Sequence, residues 1–286
     1  MYGAIEAGGT KFVCAVGNEQ FEVVKRVSFP TTTPEETLAQ VYQFFDQYNI
    51  HAIGIGSFGP IDVNPQSSTY GYILNTPKKG WANYNFLGAV KERYRIPVGW
   101  TTDVNIAALS EADRGAGQGM NNVLYLTIGT GIGGGAVING QLLEGVGHPE
   151  MGHIKVQRHP NDHFQGLCPY HHDCLEGMAA GPTIDARLNR KGAEIEQDHE
   201  VWGHLAHYLA QAMTNFSMIL RPEVIVLGGG VMKSPTLLKQ VKQLTVEALG
   251  NYIDIPDINQ YLVYPKLGDN VGITGGFLFA AEQLEK

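Results

Sequence analysis

Three short runs in this 286-residue sequence combine glycine with groups suited to anions. Gly8-Gly9-Thr10-Lys11 sets two glycines beside a hydroxyl and an ammonium. Thr130-Gly131-Ile132-Gly133-Gly134 makes a second such turn. Gly228-Gly229-Gly230 precedes Ser234-Pro235, a helix cap followed by a first-turn proline. Glycine lets backbone N–H groups converge on an anion at close range, so each run is a candidate phosphate cradle. One glycine turn alone is ordinarily a tight hairpin. Three of them, each directly after an apolar strand-like run, point to a nucleotide. Gly129, Gly131 and Gly134 fit G-x-G-x-x-G, but that fingerprint needs a helix after the glycines. Ala136 to Gly140 reads instead as a strand and a turn, so a Rossmann site is excluded, and there is no G-x-x-x-x-G-K-[ST] run.

Other residues could act on a bound partner. Asp103 sits where the strand-like run Val98 to Thr101 meets a helical pattern. A carboxylate there caps a helix, and it is also the group that accepts a hydroxyl proton in phosphoryl transfer. Cys168, His171 and Cys174 are spaced C-x2-H-x2-C, and His153 upstream would complete a Cys2His2 set of the structural-zinc type. His148, His159, His163 and His172 compete as ligands, and free thiols with surface histidines fit the spacing equally well. Glu150 and Glu176, taken singly, read as solvated surface. Asp62 and Asn75 are loop residues of the kind that read sugar hydroxyls.

The elements that would hold these residues alternate between strand and helix. Tyr2 to Glu6 and Phe12 to Val16 predict a hairpin around the first glycine turn, with a further strand near Phe21 to Phe29. Thr33, Pro34 and Glu36 form a capping-box start, and Leu38, Val41, Phe45 and Tyr48 mark an apolar helical stripe. His51 to Gly56 predicts a buried strand entering the loop Ser57-Phe58-Gly59-Pro60. Helices are expected over about 84–94 and 105–112, with a strand at Val98 to Thr101. Strand Asn122 to Ile128 then opens a second unit, Asn139-Gly140 is a hairpin turn, and a polar, histidine-rich stretch fills His148 to Asp173. Beyond it come helices at Val201 to Ile219 and Pro235 to Leu249, strands at Val224 to Leu227 and Tyr261 to Tyr264, and a last helix after Gly275. This pattern predicts an α/β fold of mixed sheets covered by helices. Arg114 to Gly119 marks the boundary, giving units 1–117 and 118–286 that begin alike, with the last helix packing back on the first.

Composition bounds the partners. Net charge is −8, which disfavours nucleic acid and anionic membranes. No apolar run approaches a membrane span. The N-terminal residues lack a signal-peptide pattern. Three cysteines suit reduced thiols in a cytoplasm rather than disulfides.

The motifs together resemble the ROK family of bacterial sugar kinases, within the actin-like (ribonuclease H-like) ATPase superfold. The resemblance runs over essentially the whole chain. It rests on Glu6-Ala7-Gly8-Gly9-Thr10-Lys11, Asp103-Val104-Asn105, Thr130-Gly131-Ile132-Gly133, Glu150-Met151-Gly152-His153 and Cys168 to Glu176. Gly56 to Asp62, Thr76 to Trp81 and His148 to His153 are similar to the fructokinase branch. Two departures are Glu6, where many members have Asp, and Cys-x-x-His-x-x-Cys in place of a three-cysteine motif.

The resemblance implies a two-domain fold with an interdomain cleft, closing on hexose and Mg-ATP. It implies transfer of the terminal phosphate of ATP to fructose, giving fructose 6-phosphate, with Asp103 as base. Gly8, Gly9, Thr10, Lys11, Thr130, Gly131 and Gly133 would hold phosphates, and Pro182, Gly228, Gly229, Gly230 and Val231 would lie by the adenosine. Gly59, Asn75, Asp103, Glu150, His153 and Glu176 would meet the sugar. His153, Cys168, His171 and Cys174 would bind a structural Zn2+ that pins the loop bearing Glu176. Mg2+ would be held through ATP oxygens and water. The alternatives are a mannose-, glucose- or N-acetylhexosamine-preferring kinase, a sugar-sensing repressor, and a non-catalytic actin-like ATPase. A repressor needs a helix-turn-helix ahead of the first glycine turn, which here begins at Glu6. A homodimer is a further family expectation.

Overall fold

The two antiparallel strands flanking the first glycine turn are nearly all apolar, and both are buried. They are β1 (Tyr2–Ala7) and β2 (Lys11–Gly17), paired from Tyr2↔Gly17 to Ala7↔Phe12 in a computed structural model that describes residues 1–285. β3 (Val23–Pro30) extends the hairpin. α1 (Pro34–Phe45) follows, its first turn capped by Thr33 Oγ1, which accepts the Glu36 N–H at 3.4 Å. Leu38, Val41, Phe44 and Phe45 on its buried face join the core, as a stripe at helical spacing requires. β4 (Ala52–Ser57) runs parallel to β1. Two short strands, β5 (Tyr72–Ile73) and β6 (Tyr84–Asn85), pair with each other and escaped the sequence reading because two-residue strands carry no periodicity. α2 (Phe86–Tyr94) therefore starts two residues later than expected, at the Asn85 cap. β7 (Val98–Thr102) and α3 (Asp103–Arg114) complete this part.

The second sheet starts with β8 (Val123–Ile128), β9 (Ile132–Ile138) and β10 (Gln141–Leu142). A 3-10 turn at Met151–His153 leads through the histidine-rich stretch to α4 (Leu175–Ala179) and α5 (Gly181–Leu188), neither foreseen. Then come α6 (Val201–Leu220), β11 (Val224–Gly228), α7 (Pro235–Leu249), α8 (Ile258–Tyr261) and β12 (Leu262–Val263). The strand expected over Tyr261 to Tyr264 is thus shorter and preceded by a helical turn.

The chain divides into two units. One holds Met1–Arg114, Leu142–Pro149 and the chain from Leu267 onward; the other holds Gly115–Gln141 and Glu150–Lys266. The sequence pattern predicts a second unit running unbroken from 118 to 286. The excursion at 142–149 joins the first unit because Leu142 packs on the cluster of Ile106, Leu109 and Phe279. The final helix, α9 (Val271–Glu282), joins it too, as expected, and begins five residues before the expected start after Gly275. Its glycines do not break it. A Cβ on Gly275 would lie 2.0 Å from the Ile106 carbonyl oxygen, and one on Gly54 of β4 would lie 2.0 Å from that of Gly276. These glycines let helix and sheet touch backbone to backbone.

The sheet orders show a repeat. The first is β3-β2-β1-β4-β7 and the second β10-β9-β8-β11-β12. In each, an antiparallel hairpin joins a parallel strand through its first member. This is the mixed α/β arrangement that the strand–helix alternation predicts, with the repeated opening that the resemblance to an actin-like fold implies.

Candidate active site and metal centre

Strand register sets the first unit's site. Ala7 of β1 pairs with Ser57 of β4, and Ser57 pairs with Thr102 of β7. The first glycine turn, the Gly59 loop and Asp103 therefore leave the same sheet edge from three adjacent parallel strands, where ligands of open α/β sheets bind. In the turn, the Gly8 N–H donates to the Lys11 carbonyl at 3.0 Å. Thr31 donates from Oγ1 to the Gly8 carbonyl at 2.7 Å and from its N–H to the Thr10 carbonyl at 2.9 Å. Gly9 keeps open space where a side chain would be. Thr10 and Lys11 are exposed.

Asp103 is the first residue of α3, not the cap. Thr102 does the capping: its Oγ1 accepts the Asn105 N–H at 3.1 Å. Asp103 accepts its neighbour Val104's N–H at 2.9 Å through Oδ1. Gly56 brings the helix start close, since a Cβ there would lie 3.2 Å from the Asp103 Cα. Glu6, the last residue but one of β1, lies beside Gly272. Burial pushes its carboxyl up from the ordinary value, against the opposing pull of Arg26 and Lys11.

Gly59 and Asn75 are exposed. Asp62 is spent on its own loop, where its carboxylate accepts the Asn64 N–H at 2.9 Å and the Thr69 hydroxyl at 2.7 Å. Trp81, at the end of the Thr76 run, is fully buried; its indole N–H donates to the Thr32 carbonyl at 2.7 Å and its ring packs on Phe12, Phe58 and Phe86. It shapes the core rather than a ligand surface.

In the second unit, a cavity of about 650 Å³ has Gly129, Thr130, Pro182, Gly230 and Val231 in its wall. The Gly181 N–H ties α5 to the glycine turn through the Gly129 carbonyl at 2.7 Å. Gly228 and Gly229 lie under this wall: a Cβ on Gly229, which has φ +93°, would meet the Ile128 carbonyl oxygen at 2.2 Å. Gly133 lies within β9, paired with Thr127. Sequence reading missed Ile184, Asp185, Lys191, Gln197, Trp202 and Lys233, which also line the cavity. No periodicity marks that stretch; Gly192 in a polar run was the available signal.

The His153, Cys168, His171 and Cys174 ligand atoms lie within 4.8 Å of one another. Cys168 Sγ is 3.7 Å from both His153 Nδ1 and His171 Nδ1, and Cys174 Sγ is 3.5 Å from His153 Nδ1. A tetrahedral zinc with S at ~2.3 Å and N at ~2.0 Å would separate these atoms by ~3.5 Å, so the donor set fits the ion. Burial, with the Cys168 sulfur near it, pushes the Cys174 thiol up to about 11. The competing histidines lie elsewhere. His148 is in the first unit; His159 packs on His204 and His207; His163 is exposed; His172 pairs with Cys168 through the backbone.

Cys174 is the N-cap position of α4, which carries Glu176. Glu176 reaches the second glycine turn, where its Oε2 accepts the Ile132 N–H at 2.9 Å; a Cβ on Gly131 would come within 2.7 Å of that oxygen. The Cys168–Cys174 loop and the second glycine turn are thereby joined through one carboxylate, a link invisible in the sequence. Glu150 heads the 3-10 turn bearing His153, its carbonyl accepting the His153 N–H at 3.0 Å.

Two sheets of one topology, each with a glycine turn at its hairpin and one with a large glycine-walled cavity, define the actin-like class of nucleotide-binding proteins. The chain belongs to the ROK family, whose profile matches residues 2–283. It is 47% identical over 285 residues to a fructokinase of Lactococcus lactis subsp. cremoris, covering 99% of this chain and 97% of that one. A Streptococcus mutans fructokinase is 46% identical over 289 residues, covering 99% and 98%. A solved ROK hexokinase from Thermus thermophilus superposes with a TM-score of 0.82 at 25% identity over 99% of each chain.

Proposed function

We propose that this protein transfers the terminal phosphate of ATP to fructose, giving fructose 6-phosphate. The observation carrying this reading is the placement of the first glycine turn, the Gly59 loop and Asp103 on one edge of adjacent parallel strands, in a chain alike from end to end to fructokinases of two organisms. Phosphoryl transfer depends on positioning and charge stabilisation. Gly8 to Lys11 and Thr130 to Gly131 would hold the phosphates, with the Lys11 ammonium adding charge. Asp103 would align the acceptor hydroxyl and take its proton; the Val104 N–H fixes one of its oxygens. The cavity would take the adenosine, with Pro182, Gly230 and Val231 against it. Gly59, Asn75, Glu150, His153 and Glu176 are the candidate sugar ligands. Mg2+ arrives as part of the nucleotide substrate. Zn2+ on His153, Cys168, His171 and Cys174 would be structural, fixing α4 and hence Glu176. A coupled assay of ADP release against a panel of free hexoses tests the reading: ATP turnover dependent on fructose is expected, and none with any hexose would overturn it.

A further inference from the structure

His148 belongs to no role assigned above, yet its surroundings are specific. The excursion 142–149 turns tightly, the Gly145 N–H donating to the Gly147 carbonyl at 3.2 Å, and ends with the His148 imidazole against the Gly59 loop. There Nε2 accepts the Ile61 N–H at 3.4 Å, and a Cβ on Gly59 would lie 3.8 Å from the ring Cε1. In this contact Nε2 is the acceptor.

Other bonds of this loop come from the local sheet. The Phe58 N–H goes to the Ala7 carbonyl, the Asp62 N–H to Tyr72, and the Pro60 carbonyl accepts from Leu74. Ile61 buries its side chain, while its N–H is met by a side chain 87 residues further along. The loop hangs from β4, the strand between those carrying the glycine turn and Asp103. On the function proposed above, a displacement there would move the sugar rather than the nucleotide, and a small misplacement of a reactant is costly.

We propose that His148 is a positioning residue for the hexose, acting through Ile61 and Gly59 to set the sugar loop; this rests on the function proposed above. The effect should fall on fructose binding and leave the nucleotide side alone.

The experiment first measures fructose-dependent turnover of the unaltered protein, which tests the underlying reading by itself. It then compares His148→Ala with His148→Gln, whose amide oxygen can still accept an N–H. His148→Ala should raise KM for fructose ~10-fold or more, with KM for ATP within about twofold and kcat the lesser change. His148→Gln should recover most of the fructose affinity. A melting curve for each variant separates this from loss of fold. The proposal is overturned if KM for ATP rises as much as KM for fructose, if fructose KM stays within about twofold, or if Gln does no better than Ala at equal thermal stability.

Discussion

Asp103 holds the Val104 N–H with one carboxylate oxygen while Thr102, not Asp103, caps the helix. That division of labour makes the aspartate a clean target. Asp103→Asn keeps size and the Val104 hydrogen bond and removes the proton acceptor. The expected result is a fall in kcat of ~100-fold or more, with KM for fructose and the melting temperature little changed. A loss under about tenfold would show that another group takes the proton. Asp162 gives a second expectation at this scale. It is buried beside Arg187 at 2.7 Å and accepts the Tyr208 hydroxyl at 2.8 Å. Burial opposes its ionisation, but hydrogen bonds from Arg187, the Phe164 N–H and Tyr208 outweigh this and hold the carboxyl at about 2. A depressed carboxylate stabilises the fold above its unfolded value of ~3.9 and loses that contribution as pH falls toward the folded one. Arg187→Met leaves a buried unpaired charge and should destabilise by about 3–5 kcal/mol in neutral-pH denaturant titrations, with the deficit shrinking between about pH 4 and 2. An equal deficit throughout that range would contradict the assignment.

Elements turn single residues into a site. The loop from Cys168 to Cys174 delivers α4, α4 delivers Glu176, and Glu176 grips the second glycine turn through Ile132. Protein purified without a histidine tag should carry about one zinc per chain, by the four-ligand count. Cys174→Ser should release it, lower the melting temperature and weaken both sugar and nucleotide binding, since the ion's binding energy is folding energy for this loop. Metal-free protein with full activity and unchanged stability would refute the metal centre. Helix α9 offers a test of packing. Gly54→Ala would set a Cβ 2.0 Å from the Gly276 carbonyl oxygen, a backbone atom unable to yield alone. A cost of about 1–3 kcal/mol is expected from denaturant titration, typical of overpacking.

Over the whole molecule, the question is which sugar the assembled residues prefer. Fructose and glucose differ at carbons 1 and 2, so discrimination comes from polar groups around that end. A site built for particular hydroxyls rejects an analogue that leaves its partners unpaired. kcat/KM for fructose should exceed that for glucose by at least ~10-fold, about 1.4 kcal/mol of differential transition-state binding. Mannose should be rejected less strongly. Equal turnover of glucose would leave a hexose kinase and remove the preference for fructose.

What the sequence by itself determined was whatever is encoded locally. Glycine runs after apolar strands, the Thr33-Pro34 helix start and the Cys-x-x-His-x-x-Cys spacing are short-range patterns, and each was legible because its physics is short-range. The ROK motifs added roles no periodicity could give. What only the tertiary structure decided involves residues far apart in the chain. Gly275 and Gly276 read as a helix boundary until the backbone of β4 and α3 came against them. Trp81 belongs to a run that the resemblance marks, but its place in the core depends on Phe12, Phe58 and Phe86, which lie far from it in the sequence or on other elements. Excursion 142–149 gave no composition shift, yet its fate was fixed by Leu142 meeting Ile106 and Phe279. The contacts Glu176 to Ile132 and His148 to Ile61 span 44 and 87 residues. Propensity and pattern act over a turn or two, whereas such contacts follow from burial and hydrogen-bond demands that arise once the sheets have formed.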